Sequence, residues 1–259
     1  TLTILKDRAA KDDNGDVRQA AVQELARGWK DDPGTLTWLK DRAAKDDNNY
    51  VRKAAVQELA RGWKNDPDTL PILKDRVTKD DNENVQEAAV QELARGWKEC
   101  KDTLPFLKEL AFSNIVSKVN LMAGLEMARG WKNYPDSIKW LKQNVVYQIE
   151  YPNGSGFISW EPLIELAQGW KDHPDILPFF KDRATKDDNK DVREATVREL
   201  ARRWKDDPDT LTILKDRAAK NDNPNVRQAA VQELARGWKD DPDTLTILKD
   251  RAAKDDHWA

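Results

Sequence analysis

Tryptophan recurs along this chain at Trp29, Trp63, Trp97, Trp131, Trp170, Trp204 and Trp238, with five intervals of 34 residues and one, the fourth, of 39. Each closes a recognisable copy of residues 17–30, VRQAAVQELARGWK. A fixed period in this range is the mark of stacked supersecondary units, none of which can bury its apolar face alone. A single globular core of 259 residues would be near its size limit. An array grows by stacking and meets no such limit.

The unit that starts at Asp66, DPDTLPILKDRVTKDDNENVQEAAVQELARGWK, divides into two helical stretches. The first covers about residues 69–79, with Leu70 and Leu73 at helical spacing and Asp68 as its expected N-cap. Pro71, like Pro105 and Pro178 in their units, falls in the first turn, where a missing N–H costs nothing. The turn KDDNEN follows, and the second helix begins near Val85. At about 100° per residue, Val17, Ala21, Val22, Leu25 and Trp29 share one sector and Gln19, Gln23, Arg27 and Lys30 the other. The seven tryptophans therefore read as packing between layers. The sixth unit has Arg203 in place of Gly28, so that position needs no positive φ.

Arg18 breaks the pattern, because its angle puts a charge among the apolar residues, where it needs a partner. Asp12 is the candidate, and the arrangement recurs as Asp46 with Arg52 and Asp187 with Arg193. This Asp-x4-Val-Arg pattern between two short helices resembles the HEAT-repeat family, in which the Asp and Arg tie neighbouring repeats together. The resemblance covers essentially the whole chain. It implies an all-α fold, a right-handed α-solenoid of about seven and a half helix pairs, whose second helices line a concave face. The tetratricopeptide, also a 34-residue helical repeat, starts its Trp pattern in the first helix. Here Trp ends the second. The wording ELARGWK, DDPDTL and DRAAKDD is also similar to arrays in cyanobacterial proteins that carry a NACHT-type nucleotide-hydrolysing module. No G-x4-G-K-[ST] loop occurs in this chain. Some cyanobacterial HEAT-like proteins attach bilin pigments, a role that nothing in these residues specifically supports.

Acids and bases nearly balance at a net charge of −3, which disfavours a nucleic-acid partner. Cys100, the single cysteine, excludes a disulfide within the chain. No apolar run approaches membrane-span length, and the TLTILKDRAAK start lacks a signal-peptide pattern. A cytoplasmic location is the expectation. The sequence begins and stops in the middle of units, so a piece of a longer protein is expected.

The units disagree chiefly between about Val85 and Ile164, the fourth and fifth units at about 99–171 being the irregular ones. The ladder arginine becomes Gln86, Asn120 and Ser159 in the third to fifth units, and the aspartate becomes Asn114 and Asn153 in the last two. On the outer face, Gln19 and Gln23 correspond to Leu121 and Leu125 in the fourth unit and to Trp160 and Ile164 in the fifth. Those four, with Tyr147 and Tyr151 of the insertion, which lies within Gln143 to Phe157 with its loop at about 148–157, form a candidate protein-binding patch. The alternative is that the loop, which also holds Pro152 and the turn Asn153-Gly154-Ser155-Gly156, folds back and covers them. Pro162 warns that the fifth unit's phase can slip.

Arg27, Arg61, Arg95, Arg129, Arg202 and Arg236 recur at one position, beside Glu24, Glu58, Glu92, Glu126, Glu165, Glu199 and Glu233. Rows of opposite charge one helical turn apart form exposed ion pairs more often than a phosphate-binding stripe. His173, His257 and Cys100 stand in separate turns, and no spacing matches a metal, nucleophilic or paired-carboxylate site. The expectation is a single non-catalytic array over residues 1–259, without cofactor or metal, that binds another protein or senses a ligand on its concave face. A rigid spacer is the second reading.

Overall fold

The computed structural model describes residues 2–151 and 154–254. The chain folds as two compact units, Thr1–Gln143 with Tyr147–Ile158, and Asn144–Val146 with Ser159–Ala259. Each is a stack of helix pairs. The boundary falls in the insertion that separates the fourth and fifth tryptophans.

In the first unit, α1 (Leu2–Lys11), α3 (Pro33–Lys45), α5 (Thr69–Lys79), α7 (Thr103–Ala111) and α9 (Pro135–Gln143) are the first helices of their pairs. The second helices are α2 (Gly15–Gly28), α4 (Asn49–Gly62), α6 (Glu83–Gly96) and α8 (Lys118–Gly130). In the other unit, α10 (Glu161–Gly169), α12 (Lys190–Arg203) and α14 (Pro224–Gly237) alternate with α11 (Ile176–Lys186), α13 (Pro208–Lys220) and α15 (Pro242–Lys254). Consecutive second helices pack side by side, α2 on α4, α4 on α6 and α6 on α8, and likewise α12 on α14. This is the expected solenoid.

Capping explains the sharp helix starts. Asn14, Asn48, Asn82, Asn189 and Asn223 each accept from a backbone N–H two residues on, satisfying a donor the helix cannot pair itself. In the fourth unit Val116 replaces this asparagine, and Ser117 caps α8 instead, accepting from the N–H of Asn120. The first helices are capped two residues earlier than expected. Asp66 accepts from the N–H of Asp68, as Asp32 does from Gly34, whereas the Asp68 carboxylate caps nothing. At the far end Gly28 is helical, and Trp29 is the C-cap, its N–H donating to Leu25 O. Among the described residues only Gly154 has positive φ, at 80°.

The core repeats with the sequence. Val22 and Leu25, Val56 and Leu59, Val90 and Leu93 are fully buried against Leu39, Leu73 and Leu107 of the first helices, each large side chain contributing about 1.5–3 kcal/mol. Trp29 packs beside Leu2, Leu5 and Trp38 on Ala21 and Leu25. Trp97, Trp170 and Trp204 are buried, and Phe180 lies 5.1 Å from the Trp204 ring. Trp63, Trp131 and Trp238 are half-buried.

The insertion, expected as a loop, is a two-stranded sheet of β1 (Tyr147–Glu150) and β2 (Gly156–Ser159). Along β1, Tyr147 and Ile149 are buried while Gln148 and Glu150 are exposed, the period of a strand with one covered face. Pro152 and Asn153 lie outside the described residues.

Candidate interaction surface

Three rows of charge link neighbouring regular repeats within each unit. The arginine row runs differently from the expected Asp12–Arg18, Asp46–Arg52 and Asp187–Arg193 pairs. Each of these aspartates offers its arginine a backbone carbonyl: Arg18 donates to Asp12 O at 2.6 Å, Arg52 to Asp46 O at 2.9 Å and Arg193 to Asp187 O at 2.7 Å. The carboxylate comes from the following repeat. Arg18 reaches Asp46 at 3.3 Å and Asp47 at 2.5 Å; Arg193 reaches Asp222 at 3.0 Å. Arg52 holds Asp80 with two donors at 2.9 and 2.8 Å and also pairs with Asp81. The reason is reach: a long arginine folded back onto the turn meets that turn's carbonyls, and its guanidinium plane extends to the neighbouring turn. Burial acts to raise the Asp80 carboxyl, but Arg52, the Asn82 N–H and Arg76 outweigh it and hold it below the usual carboxylate range.

A lysine row runs along the first helices. Lys6 pairs with Asp32 at 2.6 Å, Lys40 with Asp66 and Asp68 at 2.6 and 2.8 Å, and Lys108 with Asp136 at 2.7 Å. In the second unit Lys181 pairs with Asp207 and Asp209, and Lys215 with Asp241 and Asp243. The third row is the Arg–Glu set on the second helices, and it forms ion pairs between repeats, Arg27–Glu58 at 3.7 Å, Arg61–Glu92 at 3.4 Å and Arg202–Glu233 at 3.4 Å.

Between the third and fourth repeats the first two rows lapse. Gln86 keeps the carbonyl contact, donating to Asp80 O at 2.8 Å, but the positions that would supply carboxylates hold Asn114 and Ile115. Cys100 stands where Asp66 stands one repeat earlier, and Lys74 instead lies 5.4 Å over the Phe106 ring. α7 stops at Ala111, and Asn120 turns its amide to Leu110 O at 2.5 Å. The turn that follows is apolar and solvent-facing: Phe112, Ile115 and Val116 are exposed, Ile115 by 72%. Sequence reasoning missed this turn because it compared the helix faces; the signal was Ile115-Val116 where regular repeats have Asp-Asn.

The patch expected on the helix face needs correction. Leu121 and Leu125 are 4% and 0% exposed and present no apolar surface. Tyr147 is buried too; its ring lies 6.3 Å from Trp140 and its hydroxyl hydrogen-bonds to the Ser117 backbone, while burial raises its pKa. Lys118 lies 5.2 Å over Phe157. The hairpin thus folds back on the start of α8, one turn before Leu121. Tyr151 is half-buried. In the second unit Trp160 is half-buried at the N-cap position of α10, one residue before the helix, and Ile164 is exposed. Ser159 accepts from the Glu161 N–H at 3.2 Å.

A size change fixes the hairpin's neighbour. Gly124 replaces the Val22 of the first unit, and a Cβ there would lie 2.1 Å from the Trp140 ring. Trp140 fills that space, 1% exposed, with its indole N–H on Ala111 O at 2.9 Å.

His173 and Cys100 lie in separate turns, and His257 lies outside the described residues. Among the described residues no three His, Cys, Asp or Glu come together as a metal-holding group, and no helix is long and apolar enough to cross a membrane.

Comparison with known proteins agrees with this architecture. A family model described as HEAT repeats matches residues 2–94 and 166–259. The gap between the two matches holds the third-to-fourth junction's altered turn and the hairpin. No curated protein matches. The X-ray structure of YibA from Escherichia coli superposes with a TM-score of 0.50 at 16% identity, covering 96% of this chain and 95% of that one. Such a likeness speaks for the fold alone.

Proposed function

We propose that this chain, which belongs to the HEAT-repeat family, is a non-catalytic protein-binding array whose partner meets the irregular fourth repeat. The exposed apolar turn of Phe112, Ile115 and Val116 carries the reading. Exposed apolar clusters on an otherwise charged surface mark interaction sites more often than chance. Here the cluster replaces residues that every regular unit uses for a cap and a ladder, and Ser117 takes over the cap. Hence the turn is kept apolar at no gain to the helix it precedes.

The test restores the regular wording. The double variant Ile115→Asp, Val116→Asn is expected to melt within a few degrees of the parent and to lose captured proteins in quantitative pull-downs from its native extract. An unchanged set of captured proteins at unchanged occupancy refutes the reading and favours the rigid spacer.

On the wording ELARGWK, DDPDTL and DRAAKDD, we further propose that the array is the sensor segment of a larger NACHT-type NTPase. A G-x4-G-K-[ST] loop in the same reading frame supports this, and a complete gene without one overturns it.

A further inference from the structure

The hairpin's closing bonds fix which of its main-chain groups point outward. Tyr151 N–H donates to Ser155 O at 2.9 Å and Gly154 N–H to Tyr151 O at 2.9 Å, with Gly154 left-handed at φ 80°. Counting back from Tyr151 and Ser155 two residues at a time, Ile149 pairs with Phe157 and Tyr147 with Ser159, and these residues turn their N–H and C=O groups to each other. Burial agrees. Tyr147, Ile149 and Ser159 are buried and Phe157 is half-buried, on the face that meets Ser117 and Lys118 at the start of α8. Gln148 and Glu150 on β1, and Gly156 and Ile158 on β2, therefore direct their N–H and C=O away from the hairpin. Among the described residues none of these four makes a hydrogen bond outside the hairpin, and the sheet is two-stranded.

The two edges are not alike. Native sheets guard an open edge with charge, proline or a bulge, because unpaired main-chain groups in line are a template for another strand. β1 has Glu150 beside its outward groups. β2 reads Gly156-Phe157-Ile158-Ser159, with neither charge nor proline, and Ile158 is 57% exposed on the open face. Donors and acceptors repeating at every second residue match the main chain of an extended polypeptide. No cation stands among them to hold a polyanion.

We infer that the β2 edge takes an extended segment of a partner protein as a third strand, with a β-branched or aromatic side chain of that segment set beside Ile158. The inference rests on the reading that a partner meets the fourth repeat, and it names how that partner is held. The hairpin and the apolar turn adjoin, because the Tyr147 hydroxyl bonds to the main chain of Ser117, the residue after Val116. A second copy of the chain fits the edge less well. The antiparallel register that uses both outward residues sets Ile158 opposite Gly156 of the second copy, where it gains no cross-strand side chain, and the register that sets Ile158 opposite Ile158 pairs one residue of the strand.

The probe is a fluorescein-labelled peptide of alternating threonine and valine with a lysine at each end, titrated against the full chain by anisotropy. Ile158→Pro removes the outward N–H of β2 and leaves the hairpin's own ladder in place. Expected are saturable binding to the parent and to Ile158→Val, and a loss of about tenfold or more in Ile158→Pro and with the fully N-methylated peptide. Gln148→Pro, which removes the matching donor on the β1 edge, is expected to bind like the parent, and melting curves confirm that each variant is folded. Amide exchange of the parent, followed by NMR, reads the same contact without a substitution: saturating peptide slows the Gly156 and Ile158 N–H groups by about tenfold or more and leaves those of Gln148 and Glu150 unchanged. The inference is overturned by absence of saturable binding, by equal affinity in a folded Ile158→Pro, by protection at Gln148 and Glu150 instead, or by protection of Gly156 and Ile158 that grows with protein concentration in the absence of peptide, the mark of a second copy. Capture lost in Ile115→Asp, Val116→Asn together with no peptide binding keeps the apolar turn as the site and removes the strand; peptide binding with unchanged capture does the reverse.

Discussion

Replacing Arg52 by Gln, the residue that nature places at the next ladder position as Gln86, isolates the cross-repeat bond. Arg52 and Asp80 are 8% and 1% exposed in their side chains and share two hydrogen bonds at 2.9 and 2.8 Å. Removing one partner of a buried pair costs about 3–5 kcal/mol, because the other charge stays buried. Asp80 keeps Arg76 at 3.4 Å and the Asn82 N–H at 3.0 Å, so the lower end, about 3 kcal/mol, is expected. Neutralising Asp80 as well relieves that residual charge. The double variant Arg52→Gln, Asp80→Asn is therefore expected to be more stable than the sum of its singles by about 2 kcal/mol. The same cycle with Asp46→Asn should be additive to within about 0.5 kcal/mol, since Arg52 uses only the Asp46 carbonyl, which the substitution leaves in place. Urea unfolding followed by circular dichroism gives all the required stabilities. Additivity with Asp80 combined with coupling to Asp46 would show that the ladder runs within repeats, and the geometric account would be wrong.

Acid should loosen the array by the same route. Asp80 has a folded pKa below its unfolded value, so its contribution is complete above about pH 4, the unfolded carboxylate range, and is lost as pH falls through the lower folded value. Melting temperature should fall from pH 5 to pH 2 more steeply in the parent than in Asp80→Asn; parallel slopes would contradict the assignment. At Gly124, substitution by Val drives a side chain into the Trp140 ring and should cost about 1–3 kcal/mol. Adding Trp140→Ile, which recreates the Val56 and Ile72 combination of a regular repeat, should recover most of it, and thermal melting of the three variants decides.

The helix pairs were legible because their signals are local and repeated. Period and apolar angle gave the same boundaries, so α5 spans the stretch read from its sequence although its expected Asp68 cap is not used. The hairpin was less legible, although Tyr147-Gln148-Ile149-Glu150 alternates and a glycine turn follows, the ordinary signature of a strand and its return. An all-helical context drew attention away from it. Leu121 and Leu125 were misjudged for a different reason: angle on a helix tells which way a residue points, not what stands opposite, and the fourth repeat has a neighbour that the others lack. The apolar turn at Ile115 was visible in principle, since the fourth copy has Ile-Val where the regular copies have Asp-Asn.

The direction of the arginine ladder decides where the irregularity lies. Paired within repeats, the third unit looks half-broken, with Asp80 retained and its arginine replaced by Gln86. Paired across repeats, Asp80 is not stranded. Asp80 serves Arg52, and Gln86 faces Asn114 and Ile115, which have no charge to offer. Arginine and carboxylates are thus absent together from the third-to-fourth junction, which avoids leaving a buried charge alone there. The fifth unit, by contrast, has Ser159 for the arginine while Asp187 stays and is held by Arg183 at 2.9 Å. The lysine row lapses at the third-to-fourth junction too, through Cys100. The apolar turn of Ile115 and Val116 lies at this same junction. Neutralising the junction costs the array these two rows there, while Lys118 still pairs with Glu83 at 3.6 Å across it. The compensation visible inside the chain is the hairpin, which packs on the start of α8, and the Trp140–Gly124 contact.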